Sequence, residues 1–568
     1  MSAETRTCQN CKQDFVIEPE DLEFYAKIKV PPPTFCPQCR LQRRLAFYNL
    51  FSLYKRACDL CGKMEISMYP PRATYTVYCQ KCWWSDKWDP YKYGCDYDFS
   101  KPFFKQFNEL LHKAPLLGLA NTADMAVTSP YANQAGDSKN SYLIFEAYQN
   151  EDCMYGYYLI FSRSTVDSSL IYSSERMYDS SNCYKDNNCI GLREQVTESL
   201  DCSFLRNSHN CQNCFVSANL RNKKYVAFNK QYSKEEYFDF IKQYDLGSYK
   251  IYKEVESLTR EHWKKYPPDP DVSTNTINST GSHIFESRNC KECYETVGAE
   301  DCKYMLLMAK GPVRDCYDVS EWGLNLSLSY DSMSIGTNAS DIKFSRGVGN
   351  NPLSVEYSID CYHASNIFAS VGLRGGECTI FNKKYSEKEY YDLKKRIIEH
   401  MQKMPYRDAR GNSYSYGEFF PIEMSPHTYN ETIALNFFPL TKEVALGNNY
   451  TWRDPDMNEY KFTIKATDLP DHIKDADDSL TKEIIACVEC ERGFRILQDE
   501  LIFRRSMNVP LARRCPFCRI NEKFQGWVKK MRVGNRTCVK CNTIFSTYYT
   551  AEDAPHILCK ACYLKEVI

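Results

Sequence analysis

Eight Cys-x-x-Cys pairs, four near each end of the chain, constrain this sequence more than any other feature. Cys8/Cys11, Cys36/Cys39, Cys58/Cys61 and Cys79/Cys82 lie near the N-terminus; Cys487/Cys490, Cys515/Cys518, Cys538/Cys541 and Cys559/Cys562 lie near the C-terminus. In both sets 24 residues separate the first two pairs and 17 separate the last two. Phe15, Ile17, Leu22, Phe24, Pro31, Pro37 and Arg40 recur as Phe494, Ile496, Leu501, Phe503, Pro510, Pro516 and Arg519, so the two ends carry copies of one module. Two such knuckles supply the four thiolates of a tetrahedral ion. Soft ligands in a closed set suit zinc, with rubredoxin-like iron as the alternative. The expectation is four zinc sites of four cysteines each, structural in role, because catalytic zinc keeps an open position. Sequential pairing gives four ribbons. Cross-braced pairing, first with third and second with fourth, is the other possibility, and the lack of a short middle segment like that of RING or LIM domains favours the sequential one.

A chain of 568 residues holds several domains. Its formal net charge of -1 and 26% charged residues fit an ordinary folded, soluble protein. No run reaches the length that spans a bilayer, and the opening Met-Ser-Ala-Glu-Thr-Arg lacks the apolar stretch of a signal peptide. Of 29 cysteines, 16 lie in the terminal knuckles, which points to a reducing, cytoplasmic setting rather than a disulfide scaffold.

Between the modules the texture changes. Short runs such as Tyr142-Leu-Ile-Phe145, Tyr157-Tyr-Leu-Ile-Phe161, Leu170-Ile-Tyr172, Cys202-Ser-Phe-Leu205 and Tyr225-Val-Ala-Phe228 alternate with Asn, Asp and Ser. Many brief strands with polar corners predict a β-solenoid, with a right-handed parallel β-helix the best candidate and a β-sandwich the alternative. Cys153, Cys183, Cys189 and Cys202 read as small apolar fillers of the stack. Cys211/Cys214 and Cys290/Cys293 have no obvious partner knuckle, so they too read as filler. The region is duplicated: Cys214-Phe-Val-Ser-Ala-Asn-Leu-Arg221 with Phe228-Asn-Lys-Gln-Tyr-Ser233 matches Ile367-Phe-Ala-Ser-Val-Gly-Leu-Arg374 with Phe381-Asn-Lys-Lys-Tyr-Ser386. Each copy ends in a capping box, Ser233 with Glu236 and Ser386 with Glu389, that opens a helix.

The predicted order is a double zinc-ribbon module over 1–90, an aromatic and helical connector over 91–124, and solenoid copy 1 with its capping helix over 125–250. A helix end and linker follow over 251–282, solenoid copy 2 over 283–404, an irregular connector over 405–480, and the second double ribbon over 481–568. The fold class is therefore mainly β and multidomain: a duplicated solenoid core flanked by two double zinc-ribbon modules. In the connector, Phe103 to Ala114 reads as a short amphipathic helix, and Trp83, Trp84 and Trp88 read as packing for the second ribbon.

Basic residues beside the knuckles raise the question of phosphate contact. The first 90 residues hold 13 basic and 10 acidic side chains, and 481–568 hold 16 and 9. The candidates for nucleic-acid contact are Arg40, Arg43 and Arg44, and Arg513, Arg514, Arg519, Lys529 and Lys530.

Cys36-Pro-Gln-Cys-Arg-Leu-Gln-Arg-Arg, Ser67-Met-Tyr-Pro, Tyr78-Cys-Gln-Lys-Cys-Trp-Trp-Ser-Asp, Asp96-Tyr-Asp-Phe-Ser-Lys-Pro-Phe-Phe and Phe420-Pro-Ile-Glu-Met-Ser-Pro stand together in one chain. In these stretches, and over most of its length, the sequence resembles zinc-ribbon proteins of candidate-phylum bacteria and some giant DNA viruses, a family without an assigned activity. Some members carry a CaiB/BaiF CoA-transferase label, whose nucleotide-binding layout and catalytic Asp have no counterpart here.

The phosphate-binding Gly-x-x-x-x-Gly-Lys, the Gly-x-Ser-x-Gly elbow and His-Glu-x-x-His are all missing. The expectation is a zinc-binding, non-enzymatic interaction protein that presents its ribbons to nucleic acid or to a protein partner. The alternative is an enzyme acting on a glycan or other polymer from a solenoid face.

Overall fold

A three-residue beat organises the middle of the chain. In the computed structural model, which describes residues 2–121, 129–454 and 461–567, every third residue from Gln134 to Asn188 takes left-handed backbone, with φ from 46 to 59. The residue after each of these points inward, and four such steps close one coil. Ala135 pairs in parallel with Ala147, Ala147 with Leu159, Leu159 with Ile171, and Ile171 with Cys183, each 12 residues on. Left-handed backbone costs an L-residue roughly 1–2 kcal/mol, least for Asn and Asp. That preference accounts for Asp137, Asn140, Asp152, Asp167, Asp179, Asn182 and Asn188 at these corners.

A coil only 12 residues around leaves a narrow interior, so the inward positions are small or slender: Ala132, Ile144, Leu159, Ile171, Met177, Leu192 and Leu205, all buried. Cys153, Cys183, Cys189, Cys202, Cys211 and Cys214 join them in one apolar column, and Cys290, Cys293 and Cys302 do the same in the second copy. Inward serines complete the hydrogen bonding. The Ser180 N–H donates to Ser168 Oγ and the Leu192 N–H to Ser180 Oγ, at 3.0 and 3.2 Å, one coil apart. Each serine thus satisfies a corner N–H that the sheet leaves over.

The second copy runs from Gly281–Phe285 to Gly376–Ile380 with steps of 12 to 14 residues. Isolated pairings of Thr274 with Phe285 and Ile277 with Arg288 place its first coil inside the stretch read as linker. Both copies close with a short antiparallel return, Lys230–Gln231 and Lys383–Lys384. The capping boxes at Ser233/Glu236 and Ser386/Glu389 are both formed, opening helices Lys234–Ile241 and Glu387–Lys403. Copy 1 gains a second helix, Tyr249–Trp263, whose Tyr252, Val255, Thr259 and His262 are buried. The boundary expected at 124/125 lies outside the described residues.

The chain divides into two compact units, and both are discontinuous: Met1–Ala123 with Ser273–Asp454, and Asp124–Val272 with Pro455–Ile568. The N-terminal module therefore shares a unit with solenoid copy 2, and the C-terminal module with copy 1. Among the described residues no helix is long and apolar enough to cross a membrane.

Candidate metal centres and their docking helices

Four cysteine groups come together: Cys8, Cys11, Cys36 and Cys39; Cys58, Cys61, Cys79 and Cys82; Cys487, Cys490, Cys515 and Cys518; and Cys538, Cys541, Cys559 and Cys562, with the sulfurs of each within 4.8 Å of one another. Pairing is sequential. In each group the first knuckle ends a strand and opens a turn; the second ends a loop, except at Cys79, which directly follows strand Val77–Tyr78. In three groups the second knuckle's first cysteine is placed at a helix N-cap: Cys36 before Pro37–Leu45, Cys79 before Gln80–Trp83 and Cys515 before Pro516–Lys529. Proline at the first helical position, as after Cys36 and Cys515, fits because its missing N–H would have no partner there.

Sulfur separations test whether an ion fits. Four thiolates about 2.3 Å from a tetrahedral centre lie roughly 3.8 Å apart. Cys11 and Cys36, Cys490 and Cys515, and Cys541 and Cys559 stand 3.6 Å apart, and Cys487 and Cys518 4.0 Å. Backbone N–H groups aim at the sulfurs as well, from Cys79 to Cys58 and from Cys515 to Cys487, each at 3.2 Å. Burial opposes ionisation, yet these donors hold Cys58 and Cys487 down to about 7 and Cys538 to about 6. Burial with neighbouring thiolates pushes Cys82 and Cys515 up to about 11. Four such sulfurs ionise together only around a cation.

In the N-terminal module the helix that carries the first ribbon's second knuckle, Pro37–Leu45, also carries three arginines, and they turn inward. Arg40, Arg43 and Arg44 are 1%, 1% and 0% exposed. Arg40 reaches Asp318 at 2.7 Å, Arg43 reaches Asp331 and Glu418 at 2.8 and 2.9 Å, and Arg44 bridges Asp318 and Asp331 at 3.1 and 2.8 Å. Asp318 and Asp331 occupy left-handed corners of successive coils. Burial opposes the charge of Arg40 and Arg43, and the facing carboxylates outweigh it, so both are held more firmly protonated than usual.

The C-terminal module repeats this on copy 1. Arg519, which takes Arg40's place after the knuckle, pairs with Asp167. Arg504 reaches Asp167 at 2.9 Å and Glu500 at 2.8 Å, while Lys523 and Arg193 meet on Asp179. Arg513 donates to the carbonyls of Ala466, Leu469 and Pro470. Arg514 pairs with Glu489 and Glu522, and Lys530 with Glu194 at 2.7 Å. Of the eight basic residues considered for phosphate contact, seven are thus occupied within the fold, and Lys529 is exposed. Arg40, Arg43, Arg44, Arg519 and Lys530 dock their modules onto solenoid carboxylates, whereas Arg513 and Arg514 bind the connector and their own module. Asp318, Asp331 and Asp167, at left-handed corners, and Glu418 and Glu500, in the connector and in helix Gln498–Met507, carry those ion pairs and escape sequence reasoning, because nothing local marks their partners.

The tryptophans pack as expected. Trp83 and Trp88 are buried with Leu117 and Tyr362, and Trp83 Nε1 donates to the Pro115 carbonyl at 3.1 Å. Helix Phe103–Lys113 buries Phe104, Phe107, Leu110 and Leu111.

No family model and no curated protein matches the chain. Among solved structures, one described as a "putative acetyltransferase from Desulfovibrio desulfuricans G20" is 10% identical, covering 50% of this chain and 86% of that one. Its TM-score of 0.10 carries no argument.

Proposed function

We propose that the chain is a zinc-binding, non-enzymatic scaffold whose ribbons serve a protein partner. Zinc is the ion that closed four-thiolate geometry favours, and its role is to hold the ribbon folds. The observation that carries the reading is that seven of the eight charges that would meet phosphate are paired within the fold: Arg40, Arg43, Arg44, Arg519 and Lys530 on carboxylates of the solenoid and connector, Arg513 on connector carbonyls, and Arg514 on Glu489 and Glu522 of its own module. The ribbons instead present apolar side chains outward, with Met64 64%, Val488 54%, Val539 58% and Ile544 69% exposed. Such residues suit a protein surface better than a phosphate backbone.

Titrating the zinc-loaded protein with random single- and double-stranded oligonucleotides across a salt series tests this. The expected result is weak association with little salt dependence. A log–log slope of several units, reduced by Lys529→Glu, would replace the protein partner with nucleic acid.

A further inference from the structure

The aspartates that hold the N-terminal module belong to a longer row of solenoid copy 2. Lys291 pairs with Lys303, Lys303 with Tyr317 and Tyr317 with Tyr330 on successive coils. The residue after each, Glu292, Tyr304, Asp318 and Asp331, takes left-handed backbone, so these four form one row of corners. Arginine answers both aspartates: Arg40 and Arg44 on Asp318, Arg43 and Arg44 on Asp331. Arg40 also lies over the Tyr304 ring, 5.4 Å from its centroid. Glu292 continues the row with no arginine of its own. It feels the charges of Lys303 and Arg40 but forms an ion pair with neither.

Glu292 lines a cavity of about 650 Å³, a volume typical of ligand sites. Lys291, Lys303 and Tyr304 stand beside it on the solenoid wall, and Asp14, Glu18 and Glu20 face it from the first ribbon with Phe15 and Pro37. Both lysines are already engaged, Lys303 by Asp21 at 2.7 Å and Lys291 by the Asn278 side chain at 2.9 Å. Glu20 and Glu292 are exposed, so the cavity is reached from solvent.

The duplication supplies an internal control. In copy 1 the corresponding row is Leu143, Tyr155, Asp167 and Asp179, each following one of the paired residues Tyr142, Met154, Val166 and Tyr178. Arg519 lies over Tyr155 at 4.5 Å, as Arg40 does over Tyr304. A buried Leu143 therefore stands where Glu292 does. By the repeat of the modules, Gly493 and Leu497 stand where Asp14 and Glu18 do, and Asp499 keeps the charge of Glu20. Ribbon, coil and arginine docking thus form without three of the four carboxylates, so the fold does not require their convergence on one cavity.

We propose that this cavity receives an arginine side chain from a basic segment of a protein partner, with Glu292 as its counter-ion. The inference rests on the protein-partner reading above and gives that partner its chemistry. Guanidinium already answers the two aspartates of the row, and its planar fork suits a carboxylate better than an ammonium does. Its aliphatic stem finds apolar cover on Phe15 and Pro37. An acidic segment would be repelled by four carboxylates. A metal ion lacks its ligand set, because among the described residues only the four cysteine groups bring metal-ligating atoms within 4.8 Å of one another.

The test titrates the full-length zinc-loaded protein with a short fluorescein-labelled Gly-Ser-Arg repeat peptide, read by anisotropy, with Gly-Ser-Glu as the control peptide. The arginine peptide is expected to bind and the glutamate peptide not to. Glu292→Leu, which installs the residue of copy 1, and the isosteric Glu292→Gln should each weaken binding about tenfold or more, at unchanged zinc content and melting temperature. Glu399→Leu removes the same charge from an exposed site on helix Glu387–Lys403 and should leave binding as it was. The proposal is overturned by no binding of the arginine peptide, by equal binding of the glutamate peptide, by full binding in both Glu292 variants, or by an equal loss in Glu399→Leu. Any of these removes this site alone. The protein-partner reading fails separately, on a steep salt dependence of oligonucleotide binding.

Discussion

Arg40 and Asp318 lie 278 positions apart in the chain, yet their side chains meet at 2.7 Å with 1% and 0% of their surface exposed. A guanidinium and a carboxylate removed from water this completely stabilise the fold only as a pair. Arg40→Ala leaves Asp318 with Arg44 alone and is expected to cost about 3–5 kcal/mol in urea unfolding. The double variant Arg40→Met with Asp318→Leu is expected to recover much of that loss, since neither charge is then stranded. A double variant no more stable than the single one would show that packing, not charge pairing, sets the cost.

The same reasoning applies to the other module. Arg519→Ala removes one of the two guanidiniums on Asp167 and is expected to destabilise by a similar amount. Because Asp167 sits in solenoid copy 1 and Asp318 in copy 2, limited proteolysis should then loosen 481–568 while 1–90 stays protected. Equal loosening of both modules would contradict the partition into two units.

Ser180 makes a separate prediction. Its Oγ accepts the Leu192 N–H at 3.2 Å and donates to the Tyr178 carbonyl at 3.0 Å, in a fully buried position. Ser180→Ala strands a buried N–H and is expected to cost about 1–3 kcal/mol, read by chemical denaturation. A neutral result would mean the corner N–H finds another acceptor.

His262 gives the pH dependence. Burial, with Lys265 and Arg206 adding to it, lowers its folded pKa to about 4 from an ordinary 6.5. The unfolded chain therefore takes up a proton that the folded chain refuses. The stabilisation is complete above about 6.5, falls as pH drops towards 4, and is flat below that. His262→Asn should remove that slope, at the scale of about 1–2 kcal/mol. Wild type and variant compared across pH 4 to 7 check it, and parallel curves would refute it.

Much of this architecture is legible in the amino-acid sequence. The cysteine spacing determines the ribbon modules, and the capping boxes at Ser233 and Ser386 mark where each solenoid ends. The three-residue beat is also present: Ala135, Ser138, Ser141, Ile144, Ala147, Asn150 and Cys153 fall on it. It escapes a search for alternation because strands usually repeat in twos, whereas a left-handed corner at every third position resets the phase. The arginines show where sequence reasoning stops. Arg40, Arg43 and Arg44 look like a solvated basic face because their partners, Asp318, Asp331 and Glu418, come from coils and a connector far along the chain. No local pattern announces that the module docks on the distant solenoid copy instead of its neighbour.

Metal content measured together with protein concentration on the purified chain tests the central claim most directly. Four closed cysteine sites predict four zinc ions per chain, and three in a Cys39→Ser variant whose second module remains folded. Fewer than four ions in the wild type, or four still bound after Cys39→Ser, would contradict it.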